Sequence, residues 1–246
     1  MSIKLAIVMP AYNEEECMAD VVSIWTKLLI EEFPTENTCL IVVNDGSKDS
    51  TGKILDGLAP HNDKLVVVHQ INGGHGNAVV HAYRKAVELG AEYVFQTDSD
   101  DQFVTADFKK LWDKRTQSDF ILGYREVRHD DPFRLLITRI LRWSMFLIYG
   151  TFIMDLNIPF RLIKGSFLKK LLIQLPNPVP FAPNIFLAIM AKKSGQELFN
   201  IPIVHKERAT GEVSIRKMKL LKVCWQSFKE LARFRLELNA KIKNLK

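Results

Sequence analysis

The sequence predicts an α/β fold, a mostly parallel, twisted sheet flanked by helices and followed by a basic helical tail. Three observations predict it. Short, nearly continuous apolar runs recur at 4–9, 39–43, 65–68 and 92–96, the pattern of strands buried on both faces. Stretches suited to helices separate them, giving four β-α units in about 100 residues. Each apolar run also ends in polar, turn-forming residues, which places those residues along one edge of a doubly wound sheet, where such sheets take ligands.

Taken in order, the run Lys4 to Met9 ends in Pro10-Ala11-Tyr12-Asn13-Glu14-Glu15-Glu16. Asn13 is expected to cap the next helix, which runs to about Glu31 and opens with acidic residues, as the helix dipole prefers. The second strand, Cys39 to Val43, ends in Asn44-Asp45-Gly46-Ser47-Lys48-Asp49-Ser50-Thr51, and a helix over 50–58 follows. The third, Leu65 to Val68, leads to Asn72-Gly73-Gly74-His75-Gly76-Asn77-Ala78 and a helix over 77–89. Glycines there let the backbone turn sharply or approach a ligand closely.

The fourth strand delivers Asp98-Ser99-Asp100-Asp101-Gln102, three carboxylates within four residues. Such a cluster at the end of a buried strand is costly unless a cation or hydrogen-bond donors offset it. Asp98 and Asp100, with the amide oxygen of Gln102, can chelate a hard divalent ion, Mg²⁺ or Mn²⁺. Read alone, the stretch is also compatible with a solvated acidic turn.

Further along, Phe120 to Leu122 is an apolar strand followed by Gly123-Tyr124-Arg125. Residues 132–153 are rich in Leu, Ile, Phe and Trp. As a helix they place Arg134, Arg139 and Arg142 within an arc of about 140°. A helix of this kind can lie in a membrane interface or pack on the sheet, and both readings stay open. Residues 198–204 form a last strand, and 214–243 read as a basic helix. The expected division is a domain over 1–213 and a basic amphipathic C-terminal helix over 214–246.

Composition narrows the function classes. The hydrophobic fraction of 47% in 246 residues supports a sizeable core. Cys17, Cys39 and Cys224 are odd in number and far apart, which fits neither a disulfide framework nor a zinc site and suits a reducing compartment. Met1 to Lys4 run straight into a strand, so no signal peptide is expected. No run of eighteen uncharged apolar residues occurs, so no transmembrane helix is expected either. Residues 216–246 hold ten Lys or Arg against two Glu, so the tail alone carries +8 of a net +6. An anionic membrane surface suits that tail; a nucleic-acid partner is not expected.

Together, Pro-Ala-Tyr-Asn-Glu-Glu, Val-Asn-Asp-Gly-Ser-Lys-Asp, Asn-Gly-Gly-His-Gly-Asn-Ala and Asp-Ser-Asp-Asp-Gln, in this order over residues 5–103, resemble the family-two inverting glycosyltransferases of GT-A (Rossmann-like) fold. Within that family the chain is most similar to the polyprenyl-phosphate, dolichol-phosphate mannosyltransferase type. Asp155-Leu156-Asn157-Ile158-Pro159-Phe160-Arg161-Leu162 resembles the family's Asp-x-x-Ser-Gly-Phe-Arg-Leu segment, with Ile-Pro in place of Ser-Gly. His75 stands where many relatives have lysine, and Asn184 where many have an acidic residue. His205 to Gly211 resembles a loop that contacts the donor phosphates.

The resemblance implies a nucleotide-sugar donor, UDP- or GDP-linked, a lipid-phosphate acceptor and Mg²⁺ or Mn²⁺. It implies that Pro10, Ala11, Tyr12, Glu14, Asp45 and Ser99 bind the donor, with Asp45 on the base and Arg208 on the diphosphate. Asp98, Asp100 and Gln102 would hold the metal. Asp100, Arg125, Asp155 and Arg161 would serve the reaction, the arginines holding an anionic acceptor. A phosphate acceptor needs no general base, and Asn184 in the usual acidic position leans that way. The alternatives are a saccharide acceptor, with Asp155 or Asp101 as base, and a non-catalytic nucleotide- or membrane-binding scaffold. The expected location is the cytoplasmic face of the membrane, with attachment peripheral or through a partner; a membrane protein and a second copy of the chain are the candidate partners.

Overall fold

The computed structural model describes residues 2–126, 132–206 and 217–245, without the side chains of 132–138, 141, 142 and 217–224. The elements run β1 (Leu5–Ala11), α1 (Met18–Glu32), β2 (Thr38–Asn44), α2 (Thr51–Leu58), β3 (Leu65–His69), α3 (His75–Glu88), β4 (Tyr93–Gln96) and α4 (Thr105–Trp112). They continue with β5 (Phe120–Arg125), α5 (Pro132–Tyr149), β6 (Arg161–Lys164), α6 (Gly165–Gln174), α7 (Pro183–Lys193), β7 (Leu198–Ile203) and α8 (Lys217–Lys243).

The seven strands form one sheet in the order β3-β2-β1-β4-β6-β5-β7. β1 lies parallel to both β2 and β4, with Leu5 opposite Thr38 on one side and Tyr93 on the other. The chain thus winds outward from β1 to β3 and then crosses back to β4. The carboxyl ends of β1 and β4 part company at this reversal, the crevice where open sheets bind ligands. β6 runs antiparallel between β4 and β5, and β7 returns parallel to β5.

Every residue of β1 and β2 is buried, which accounts for their unbroken apolar runs. Phe95 on β4 anchors an aromatic cluster. Its ring centroid lies 5.5 Å from Trp25 of α1, 4.9 Å from Phe108 of α4 and 4.7 Å from Phe160. The pairs with Phe108 and Phe160 are edge-to-face, an arrangement that adds about 0.5–1.5 kcal/mol each beyond burial.

The structure differs from the sequence expectation in three places. The first helix begins at Met18, with Cys17 at its N-cap and no side-chain cap. Asn13 does not cap it; its carboxamide oxygen accepts the backbone N–H of Lys48 at 2.8 Å. α4 and α6 fill stretches that carried no expectation. So does β6, a four-residue strand with charged residues at both ends.

α8 packs against α5 and α7. Leu231, Phe234 and Leu238, on one face at helical spacing, are buried, and the Phe234 ring lies 5.0 Å from Phe186 of α7. The Tyr149 hydroxyl at the end of α5 donates to the carbonyl of Leu231 at 2.5 Å, and Arg235 Nε donates to the carbonyl of Ile148 at 3.1 Å.

Candidate active site

The acidic stretch emerges at the sheet's reversal point. Thr97 N–H donates to the Val8 carbonyl at 3.1 Å, carrying the β1–β4 pairing one residue past β4, and Asp98 follows at once. Asp98 Oδ1 is sealed from solvent without a hydrogen-bond partner, as are Thr97 Oγ1 and Gln96 Nε2 just behind it. Burial raises the Asp98 carboxyl well above the usual aspartate range. The charge of Asp100 raises it further and Glu14 adds to this, with Arg125 and Arg161 opposing. Clustered carboxylates around a buried, unpartnered oxygen are what a divalent cation relieves. Among the described residues no group of three or more His, Cys, Asp or Glu is arranged to hold a metal. Two carboxylates with a buried, unpartnered oxygen suit an ion that takes the rest of its shell from phosphate and water, as Mg²⁺ and Mn²⁺ do.

Of the residues expected to bind that ion, Asp98 and Asp100 are together. Gln102 adjoins them, its backbone N–H donating to Asp100 Oδ1 at 3.3 Å, while its Nε2 donates to the Lys206 carbonyl at 3.1 Å and its own carbonyl accepts Lys206 N–H at 2.8 Å. With the Phe103–His205 bridge and a Lys206–Asp101 ion pair at 3.7 Å, these contacts fasten the end of the acidic loop to the segment that follows β7. Asp107 of α4 pins the same segment by accepting Val204 N–H at 2.6 Å. Arg208 lies outside the described residues.

On the donor side, two loops are laced together. Asn13, at a φ of 55°, and Glu14 donate their backbone N–H groups to Ser47 Oγ and Thr51 Oγ1, at 3.0 and 2.9 Å. The Glu15 carboxylate accepts Ser50 N–H at 2.7 Å, at the start of α2, where negative charge is favoured. Cys17 Sγ lies 3.2 Å from the Ser99 carbonyl, tying the foot of α1 to the acidic loop. Pro10 and Ala11 are buried within β1, whereas Tyr12 presents its ring to solvent. Asp45 is nearly buried. Its Oδ1 accepts Gln70 Nε2 at 2.6 Å and Gly73 N–H at 2.8 Å, and its Oδ2 accepts Gly74 N–H at 2.9 Å. The carboxylate therefore organises the glycine loop.

On the other side, Arg125 at the end of β5 holds Asp155 through two parallel hydrogen bonds, Nε to Oδ2 at 2.8 Å and Nη2 to Oδ1 at 3.0 Å. Arg161, expected to hold an anionic acceptor, is fully buried. Its guanidinium donates to the carbonyls of Leu156, Ile158 and Asn184. A side chain with no exposed surface does not reach an acceptor phosphate, and in the structure Arg161 holds the 155–160 loop in place. Asn184 is buried beside Tyr83, whose hydroxyl donates to Gln96 Oε1 at 2.6 Å. Sequence reasoning missed Gln70, Cys17, Tyr83 and Asp107. Each acts on a residue distant in the chain, and no local spacing signals such contacts.

The chain matches the family described as Glycosyl transferase family 2 over residues 6–174. It is 28% identical over 218 residues to the UDP-N-acetylglucosamine–dolichyl-phosphate N-acetylglucosaminyltransferase of Methanococcus voltae, covering 80% of this chain and 83% of that protein. It is 22% identical over 224 residues to the undecaprenyl-phosphate 4-deoxy-4-formamido-L-arabinose transferase of Edwardsiella ictaluri, covering 90% and 66%. Among solved structures, glucosyl-3-phosphoglycerate synthase from Mycobacterium tuberculosis, in complex with Mn²⁺, UDP and glucosyl-3-phosphoglycerate, superimposes with a TM-score of 0.68. That match has 17% identity over 95% of this chain and 80% of that one. Likeness at this identity establishes the fold.

Proposed function

The chain belongs to glycosyl transferase family 2, and on that premise we propose that it moves a sugar, with inversion, from a nucleotide-sugar donor to a polyprenyl phosphate at the cytoplasmic membrane face. The observation that carries this reading is the buried, unpartnered Asp98 oxygen beside Asp100 at the sheet's reversal point. These two carboxylates would hold Mg²⁺ or Mn²⁺, which when bound neutralises charge on the departing diphosphate. The complex of the mycobacterial synthase with Mn²⁺ and UDP supports the same pairing of ion and nucleotide here.

The chain's own residues divide the remaining work. Glu14, Ser99 and Asp45 line the donor side, with the Tyr12 ring exposed for the nucleoside and Arg208 assigned to the diphosphate. Arg125, whose charge acts on Asp98, supplies positive charge next to the acid cluster. An acceptor phosphate oxygen is anionic at neutral pH, so it attacks the anomeric carbon without losing a proton. The diphosphate leaves from the opposite face with the bonding pair. Asp155 is held by Arg125 through both of its oxygens, which ties the 155–160 loop to the end of β5. Arg161 positions the loop that carries Asp155.

The outer face of α5 supports a membrane-surface location. Trp143 and Leu147 are 67% and 80% exposed, next to exposed Ile140 and Phe146, and Arg139 is exposed on the same helix. Large apolar groups flanked by arginine suit a headgroup boundary. Among the described residues no helix is long and apolar enough to cross a membrane.

The test is sugar transfer to a polyprenyl phosphate in detergent, followed by mass spectrometry with UDP- and GDP-sugars. The expected product is a polyprenyl-phosphate sugar formed with Mn²⁺ or Mg²⁺ and lost with chelator or in Asp100→Asn. Unchanged transfer by Asp100→Asn removes the metal assignment. Transfer only to a saccharide removes the lipid-phosphate one.

A further inference from the structure

The structure assigns His69 a positioning role in donor binding: from the outer edge of the sheet it fixes the Asn44 amide, and through that amide the loop that carries Tyr12, Asn13 and Glu14. This inference rests on the proposed donor site, which that loop lines. β3 is an edge strand, and His69 at its end lies opposite Asn44 at the end of β2. The imidazole stands between two side chains. Its Nε2 is 2.9 Å from Asp56 Oδ1 on α2, and its Nδ1 is 3.0 Å from Asn44 Nδ2.

These contacts admit one arrangement of protons. Asn44 Oδ1 accepts Ser47 N–H at 3.1 Å, so the amide turns its NH₂ toward His69. Nδ1 must then accept, and the ring proton sits on Nε2, where the Asp56 carboxylate receives it. A proton on Nδ1 would set N–H against N–H. Turning the Asn44 amide to relieve that clash would set its NH₂ against Ser47 N–H instead. The amide is also enclosed. Asn44 is buried, and a Cβ at Gly52, in the first turn of α2, would lie 2.9 Å from its Nδ2.

The bonds continue from Ser47 into the loop after β1. Ser47 Oγ accepts Asn13 N–H at 3.0 Å, and Asn13 Oδ1 accepts Lys48 N–H at 2.8 Å. Asn13 sits at a φ of 55°, a left-handed conformation that residues other than glycine keep only where their surroundings hold it. Tyr12 on one side of it presents its ring to solvent, and Glu14 on the other acts on the charge of Asp98. The His69 and Asp56 side chains are 43% and 67% exposed, so their bond adds little stability. What it supplies is orientation, a loop already shaped before the nucleotide arrives.

The test compares the full-length wild type with His69→Leu and with His69→Asn, whose Oδ1 replaces Nδ1 as the acceptor for Asn44. Nitrogen NMR of the wild type above neutral pH is expected to show His69 protonated at Nε2 and bare at Nδ1, a measurement that needs no substitution. The backbone amide signals of Asn13, Ser47 and Lys48 should shift in His69→Leu and return in His69→Asn. Calorimetric titration with UDP and with GDP, each with Mn²⁺, should show about threefold to tenfold weaker binding by His69→Leu of whichever nucleotide the wild type takes. His69→Asn should bind it as the wild type does, with all three proteins melting alike. A proton on Nδ1, unmoved amide signals, or equal binding by His69→Leu and the wild type overturns the positioning role and leaves sugar transfer standing. Equal losses in His69→Leu and His69→Asn overturn it too, since packing alone would then account for them. Binding of neither nucleotide to the wild type overturns the donor site, and the role assigned to His69 with it.

Discussion

Arg125 and Asp155 face each other as a fork, with both guanidinium–carboxylate hydrogen bonds at 3.0 Å or less and both side chains mostly buried. Removing one partner leaves the other charge buried and uncompensated, at a cost of about 3–5 kcal/mol. Asp155→Leu is expected to show a loss of that order in urea unfolding. Arg125→Met combined with Asp155→Leu should recover part of it. A single-variant loss below about 1 kcal/mol would mean that water reaches the pair.

Asp98→Asn is expected to separate stability from ligand response. It removes a carboxylate that burial and Asp100 disfavour. The melting temperature without metal should therefore rise by about 2–4 °C for each kcal/mol relieved. The further rise produced by Mn²⁺ with UDP should disappear. A scan with and without both ligands reads the two effects separately, and a lower melting point without metal contradicts the assignment.

Asp49 supplies a pH dependence on the donor side. Burial raises its pKa, but hydrogen bonds from Thr51 and Glu15 outweigh this and hold it below the usual aspartate range. A depressed carboxylate contributes stability above its unfolded value and loses it as pH falls through the folded one. Asp49→Asn should therefore be modestly less stable than the wild type at neutral pH. The difference should shrink below about pH 4, as chemical denaturation across pH 2–7 would show.

Gly76 and Gly57 make a matched pair. A Cβ at Gly76, in the first turn of α3, would sit 2.5 Å from the Pro180 carbonyl oxygen and 2.7 Å from that of Phe181. At Gly57, in α2, it would meet nothing within 4 Å. Gly76→Ala should cost about 1–3 kcal/mol, because backbone must move. Gly57→Ala should gain up to about 1 kcal/mol from helix propensity. Equal effects in thermal unfolding would contradict the close packing of α3 on the 180–181 segment.

For the outer face of α5, Trp143→Glu with Leu147→Glu is expected to reduce sedimentation with anionic liposomes by about tenfold or more while leaving the melting temperature unchanged. Undiminished binding would move the contact to another surface.

The parts of the chain legible from sequence were those where one residue type has one physical use. β1 and β2 are buried on both faces and read as unbroken apolar runs. The acidic stretch after β4 stood out because carboxylates rarely cluster at a buried strand end. β6 escaped because Arg161 and Lys164 flank just two apolar residues, and its antiparallel insertion between β4 and β5 is a tertiary decision. Arg161 misled for a related reason: an arginine suggests an anion, and here backbone carbonyls satisfy it. Asn13 has the residue type of a helix cap, but its partner, Lys48, lies 35 residues away.

The docking of α8 bears on how the chain can be shortened. Trimming it at 213, where the charge pattern changes, would take away the carbonyl that receives the Tyr149 hydroxyl and would bare Phe186. It would also loosen the brace behind α5. The C-terminal helix is thus the keel on which the exposed face of α5 is mounted, and a shortened chain would present that face at no fixed angle to the sheet.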